Sequence, residues 1–266
     1  MDIPSAKLIY FSPTHTTKRV VEGIARGLRI DAMEHADLTQ PDASSYNLGE
    51  IHDALAVIAS PVYGGRLPLD VVSRLQRLKG RDAPAVIVVV YGNRAYEDAL
   101  LELRDLALAA GFQPVAAGAF IGEHSYSSGA MPIAVGRPDA EDLRKAEDFG
   151  TLVRTKLRDM RALGGMAPLQ VPGNFPYLER RLLTNIAPVS QDTLCERCEQ
   201  CAAVCPVAAI TFLDTVVTDN ALCIRCCACV RACPAGARVM DDPRIAQMAQ
   251  WLNTNCAQRK EPETYV

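Results

Sequence analysis

The chain has 266 residues, of which 49% are hydrophobic, with 17 Gly, 17 Pro and a formal net charge of −3. That composition supplies a sizeable core for one large or two moderate domains and excludes a disordered chain. Between Ser190 and Met240 five acids face four arginines, so the cysteine-rich part has no basic face, and nucleic acid is not an expected partner.

The first ten residues show no basic start followed by a long apolar run, so no signal peptide is expected. No stretch reaches the eighteen or so uninterrupted apolar residues of a membrane span. Thiols used at the density described below fit a reducing interior, and the expected location is cytoplasmic.

Lys7 to Phe11 reads as a short strand. Ser12-Pro13-Thr14-His15-Thr16-Thr17 follows, and then a run with Val20, Val21, Ile24 and Leu28 on one helical face. A hydroxyl-rich loop at a helix N-terminus is either an ordinary N-cap or a phosphate cradle, where hydroxyls and free N–H groups converge at the positive end of the dipole. Ala54–Ser60, Pro84–Val90 and Val115–Ile121 are apolar strand runs. Helical patterns fall between and after them at Leu69–Leu78, Tyr96–Ala109 and Asp139–Arg161. Strands buried on both faces and alternating with helices predict a doubly wound parallel sheet, with its ligand at the carboxyl ends of the strands.

The loops at those ends are Pro61-Val62-Tyr63-Gly64-Gly65, Tyr91-Gly92-Asn93 with Arg94 and Tyr96, and Glu123-His124-Ser125-Tyr126. His124 is a weak candidate for a proton donor, with a satisfied loop histidine as the plainer reading; His35 and His52 read as surface residues. Gly164 to Pro188 is rich in Pro and Gly and predicts a linker draped over the first domain through Phe175 and Tyr177.

Cys195 to Pro234 holds two copies of C-x2-C-x2-C-x3-C-P, the first starting at Cys195 and the second at Cys223. Thiolates at this spacing ligate [4Fe–4S] clusters, and the fourth cysteine of each run serves the other cluster. This assigns Cys195, Cys198, Cys201 and Cys233 to one cluster and Cys223, Cys226, Cys229 and Cys205 to a second. Zinc would not need the third cysteine and the C-P ending twice over. Cys227 reads as a buried small hydrophobe rather than a ninth ligand. Pro243 to Cys256 predicts a helix docking through Ile245, Met248, Trp251 and Leu252, and the charged residues after Ala257 are expected to fray.

About Asp192 to Met240 resembles the bacterial two-[4Fe–4S] ferredoxins, with Glu199 where a glycine is common. Ile3 to Leu163 resembles flavodoxins through Ser12–Thr17, the P-V-Y-G-G loop and the Y-G-N loop. The whole chain resembles the flavodoxin–ferredoxin fusions of the EFR1 family, through Y-F-S-P-T, P-V-Y-G-G-R-L-P, Y-G-N-R-A-Y-E-D-A-L and E-H-S-Y.

The resemblance implies a flavodoxin-like α/β fold with five parallel strands and a C-terminal α+β two-cluster ferredoxin domain. It also implies FMN. Ser12, Thr14, Thr16 and Thr17 would hold its phosphate, with His15 standing where flavodoxins have glycine. Pro61, Val62, Tyr63, Gly64 and Gly65 would lie against one side of its ring system. Tyr91, Gly92, Asn93, Arg94 and Tyr96 would lie against the other.

The expected division is 1–163 for the FMN domain, 164–189 for the linker, 190–240 for the ferredoxin domain and 241–266 for a helix and tail. The expected function is electron transfer between two clusters, FMN and a redox protein that donates or accepts. A flavin oxidoreductase reducing a small molecule is the alternative, and a redox sensor ranks third. No G-x-G-x-x-G follows a strand, so nicotinamide is not an expected partner. The sequence leaves open whether the halves meet within one chain or across a homodimer.

Overall fold

The computed structural model describes residues 3–45, 49–160, 163, 167–180 and 183–266. Its N-terminal part runs β1 (Ser5–Tyr10), α1 (Thr16–Leu28), β2 (Ala32–Asp37), β3 (Leu55–Pro61) and α2 (Leu69–Leu75). It continues with β4 (Ala83–Tyr91), α3 (Ala99–Ala109), β5 (Phe112–Ile121) and α4 (Ala140–Asp159). These five strands are all parallel and lie in the order 2-1-3-4-5. This is the flavodoxin-like doubly wound arrangement, whose ligand crevice lies at the carboxyl edge.

Every residue of β3 and β4 is buried, because helices cover both faces. Val20, Val21, Ile24, Phe149 and Val153 of α1 and α4 fill one layer, and Val71, Leu75, Leu100 and Leu103 of α2 and α3 fill the other. The α1–α4 contact is close enough to require glycine. A Cβ on Gly27 would stand 1.9 Å from the Glu147 carbonyl oxygen, and one on Gly150 2.1 Å from that of Ile24.

Strand β2 carries A-M-E-H-A-D with only Ala36 buried. It forms the sheet edge, where one flank is wet, so its sequence lacks the apolar run that marks the inner strands. The helices are shorter than their patterns suggest: α2 ends at Leu75, α3 starts at Ala99, and α4 ends at Asp159. The expected end of α4, Arg161, and the linker residues Gly164 and Gly165 lie outside the described residues.

The connecting segment lies along α3. Asp98 accepts the N–H groups of Asn174 (2.8 Å) and Leu178 (2.6 Å), and the Tyr177 hydroxyl donates to Asp105 at 2.6 Å. Arg66 sits 4.6 Å over the Tyr177 ring and pairs with buried Glu102 through both carboxylate oxygens. Phe175, expected as a second anchor, is 79% exposed.

The cysteine-rich part contains β6 (Val189–Ser190), α5 (Gln200–Ala203), β7 (Ile210–Phe212), β8 (Val216–Thr218), α6 (Ala228–Arg231) and β9 (Arg238–Val239). Strands β7 and β8 form a hairpin, and β6 pairs antiparallel with β9.

Helix α7 (Pro243–Asn255) is capped by Asp242, whose side chain accepts the Arg244 N–H. It buries Ile245, Ala249 and Leu252 at helical spacing, and so turns Trp251 outward at 53% exposure. The assignment of Trp251 to packing is therefore corrected.

The tail does not fray. Strand β10 (Glu263–Tyr265) pairs antiparallel with β5 and makes the sheet six-stranded rather than five-stranded. Its charges have partners: Arg259 reaches Asp139 at 2.6 Å, and Glu263 accepts the Tyr96 hydroxyl at 2.7 Å. The Lys260 carbonyl accepts from Arg137 at 2.7 Å.

Candidate functional site

The cysteine repeat is a repeat of backbone as well as of sequence. Arg197 and Arg225, at equivalent places in the two copies, have φ of 54° and 59°; Glu199 and Cys227 have 60° and 57°. Ala208 and Gly236 repeat the pattern at 51° and 63°. Each left-handed residue turns the chain so that thiols three apart curl around a common centre. Glu199 and Cys227 are thus equivalent, each preceding a short helix at a position that glycine fills without strain.

Cys195, Cys198, Cys201 and Cys233 line one open pocket, together with Phe212 and Arg238. Among the described residues no three His, Cys, Asp or Glu side chains converge on a point fit for a single ion; these thiols stand around a void instead.

The second set lies deeper. Burial pushes the Cys226 thiol up to about 12, and the neighbouring Cys229, Cys205 and Cys223 add to the shift. Burial likewise raises Cys223 and Cys229. Cys205 receives the Ala209 N–H at 3.3 Å. Cys227 is 2% exposed and its thiol is raised mainly by burial. Cys198 of the first set is exposed, whereas Cys226 and Cys229 of the second are buried.

Arg238 is 2% exposed and sits between the two sets. Its guanidinium donates to Ser190 Oγ, Thr218 Oγ1 and the Pro188 carbonyl at 2.7 to 2.9 Å, and approaches Cys229 Sγ at 3.8 Å. Its Nε is buried with no partner. Its charge opposes the upward effect of burial on Cys201 of the first set and on Cys223 and Cys229 of the second.

The loops after β1, β3, β4 and β5 meet at the carboxyl edge of the sheet. Ser12 is buried, with its Oγ accepting the Lys18 N–H at 3.0 Å and its N–H donating to Thr39 Oγ1 at 2.8 Å. Thr14 and Thr16 are half-buried. His15 is exposed at φ 63° and heads α1 without a side-chain cap bond. Thr17 is fully buried, and its Oγ1 has no hydrogen-bond partner.

Pro61 is buried, and the N–H of half-buried Val62 donates to the Val90 carbonyl at 2.9 Å. Half-buried Tyr63 pairs with Arg66 across a turn made by Gly64 and Gly65, both at positive φ. A Cβ on Gly65 would strike the Glu97 side chain at 1.6 Å, which brings this loop against the next.

Tyr91 is buried, which pushes its phenol up to about 12, and its ring lies 5.4 Å from that of Tyr96. A Cβ on Gly92 would meet the His124 ring at 2.3 Å. Asn93, Arg94 and Tyr96 are near but already engaged. The Asn93 amide donates to the Cys256 and Gln258 carbonyls at 2.6 and 2.9 Å. Arg94 makes a two-bond pair with Glu97, and Tyr96 binds Glu263 and Tyr265 of the tail.

His124 Nδ1 accepts the Tyr126 N–H at 3.0 Å, which places the ring proton on Nε2. Burial, with Arg231 and Arg94 nearby, lowers its pKa to about 4. His35 and His52 are exposed; His35 bonds the Tyr10 hydroxyl and His52 lies beside Asp53.

The two parts touch within one chain. Arg74 of α2 is buried, donates to the Leu38 and Thr39 carbonyls, and reaches across to the Pro206 carbonyl at 2.7 Å. Arg231 donates to the His124 carbonyl at 2.9 Å and pairs with Glu123 at 3.3 Å. Ile224, between Cys223 and Cys226, packs against the apolar layer that also receives Val62. Burial, then Cys226 and Cys227, push the Tyr63 phenol well above its ordinary value, and Cys227 acts in the same sense on Tyr126. Sequence reading missed Arg74, Arg238 and Thr39, since a lone arginine or threonine in an amphipathic stretch carries no spacing signal. One clue to Arg238 lay in the repeat itself, where its equivalent in the first copy is apolar Ile210.

Residues 189–211 and 216–239 match the family described as the 4Fe-4S binding domain, so the C-terminal part is a 4Fe-4S ferredoxin-type domain. No curated protein matches the chain. Among solved structures it is similar to a flavodoxin from the domain Archaea, at 12% identity and TM-score 0.37, covering 58% of this chain and 99% of that one. A Fusobacterium nucleatum flavodoxin bound to flavin mononucleotide shows 13% identity and TM-score 0.38 over 58% and 96%. The Flv1 flavodiiron core from Synechocystis sp. PCC6803 shows 17% identity and TM-score 0.41; 59% of this chain is covered and only 36% of that one.

Proposed function

We propose that this chain is an electron-transfer flavo-iron–sulfur protein, a flavodoxin–ferredoxin fusion of the EFR1 type, holding two [4Fe–4S] clusters and FMN. The observation that carries the reading is the seating of the second cysteine set on the flavodoxin-like part. Cys226 and Cys227 lie within electrostatic reach of Tyr63, and Ile224 packs against the apolar layer that also receives Val62 of that loop. Residues 1–163 would form the FMN domain and 190–240 the cluster domain, with 164–189 strapped between them and 241–266 closing the far edge.

The residues fit these groups. Four thiols from two separate turns that line one pocket without converging on a single-ion point suit a cubane better than a single ion. The orphaned Thr17 Oγ1, at the start of a 13-residue helix, suits a phosphate oxygen. Bound clusters would exchange single electrons and a bound flavin one or two, so joining them supplies conversion between one- and two-electron partners.

The chain's own part is to bind, orient and screen. The exposed Cys198 leaves the first site open toward a redox protein, while the buried second set faces inward. Arg74 and Arg231 hold the two parts in register. Tyr63, Gly64 and Gly65 offer a wall for a flat ring, and the N–H groups at the start of α1 offer donors to its phosphate. The Asn93 amide is spent on the tail, which leaves only its backbone for a flavin.

Anaerobic purification followed by iron, sulfide and flavin analysis tests this. Eight irons, eight sulfides and one FMN per chain are expected, two cubanes contributing four irons each. Four irons would refute the second site, and eight irons with no FMN retained on addition would refute the flavin half.

A further inference from the structure

The repeat has near two-fold symmetry in sequence and backbone, but its halves differ in one buried position. Ile210 is 8% exposed and apolar; its equivalent in the second copy is Arg238, 2% exposed and charged. A buried guanidinium costs several kcal/mol to desolvate unless its donors and its charge are compensated. Here Nη1 and Nη2 are satisfied by Ser190, Pro188 and Thr218. Nε is not, and the same side chain lines the cavity of Cys195, Cys198, Cys201 and Cys233. No carboxylate bonds Arg238 among the hydrogen bonds and ion pairs of the described residues. The nearby groups able to carry negative charge are the thiols on either side of it, with Cys229 Sγ at 3.8 Å.

We propose that Arg238 is a potential-setting residue: its Nε–H donates to the sulfur of the first cluster, and its fixed charge lies between the two clusters and favours their reduced forms. The inference rests on the reading that the eight cysteines hold two cubanes. One electron added to a cluster adds one negative charge. A buried cation beside it lowers the cost of that charge far more than an exposed one would, because little water intervenes to screen it. The polar anchors hold the guanidinium in place, so the effect is built into the fold. The guanidinium then couples to both clusters, through Nε at the first and through Nη2, 3.8 Å from Cys229 Sγ, at the second.

The test uses the full-length chain reconstituted anaerobically with iron and sulfide and titrated with dithionite, with the reduced signals followed by EPR. R238Q removes the charge and is expected to disfavour reduction of the first cluster at least tenfold, about 59 mV downward for a one-electron couple. R238K keeps the charge and should recover most of that shift, which a purely structural role would not predict. Wild-type protein labelled with 15N-arginine should show a nitrogen coupling on the reduced cluster that R238K lacks. An unshifted R238Q midpoint, or no nitrogen coupling in the wild type, overturns the proposal. The labelled wild type decides alone if R238Q fails to load iron. Fewer than eight irons in the wild type would instead sink the two-cluster reading.

Discussion

Replacing Thr17 with valine should strengthen the FMN-free chain and weaken its hold on FMN. The side chain is fully buried, and its Oγ1 meets no donor or acceptor. An unsatisfied buried hydroxyl costs about 1–3 kcal/mol, and valine fills the same volume without it. Thr17→Val should therefore raise the unfolding free energy of the flavin-free chain by about 1–3 kcal/mol. If that hydroxyl donates to the phosphate, the bond is to a charged acceptor and contributes about 1.5–3 kcal/mol. At about 1.4 kcal/mol per tenfold, the variant should bind FMN about 10- to 100-fold more weakly. Urea unfolding followed by circular dichroism reads the first effect, and quenching of flavin fluorescence reads the second. Thr17→Ser keeps the hydroxyl and should retain most of the affinity. A Thr17→Val variant that is less stable without flavin and binds FMN like the wild type would refute both halves of the reasoning.

Asn93→Gly keeps the positive φ of 62° and removes three hydrogen bonds to the tail. At about 1 kcal/mol each, hydrogen exchange at Glu263–Tyr265 should accelerate at least tenfold, while exchange in β3 stays slow. Cys227→Gly suits the left-handed φ of 57° and removes no assigned ligand. Its iron content should equal the wild type's, and a loss of iron would show that Cys227 coordinates.

His124 is held to about 4 in the folded chain against 6.5 when free, so between those values the unfolded chain binds the extra proton. The contribution of His124 is thus fully present above about 6.5 and is lost as pH falls toward about 4. His124→Asn, which retains an acceptor, should flatten the stability profile across that window in pH-dependent urea titrations.

Much of this protein is written locally. The cysteine repeat of the 4Fe-4S domain and the inner strands β3 and β4 with their unbroken apolar runs read directly, because their patterns depend on neighbours in sequence. The edge strands did not read. Strand β2 has one wet flank and carries Glu, His and Asp, while β10 is three residues of a charged tail. It becomes a strand only because β5 offers a free edge and Arg137, Tyr96 and Asp139 supply partners from far along the chain.

The outward turn of Trp251 likewise depended on which face of α7 met Ile133. The sequence by itself marked the candidate sites, the paired cysteine runs and the strand-end loops, since ligand spacing and loop composition are short-range properties. Tertiary structure alone decided where those sites lie relative to each other. The reach of Arg74 to Pro206, the packing of Ile224 against the apolar layer that also receives Val62 and the burial of Arg238 between two sets of thiols join residues with no common pattern. Such contacts arise from packing two halves together, and packing is a property of surfaces that no single stretch of sequence contains.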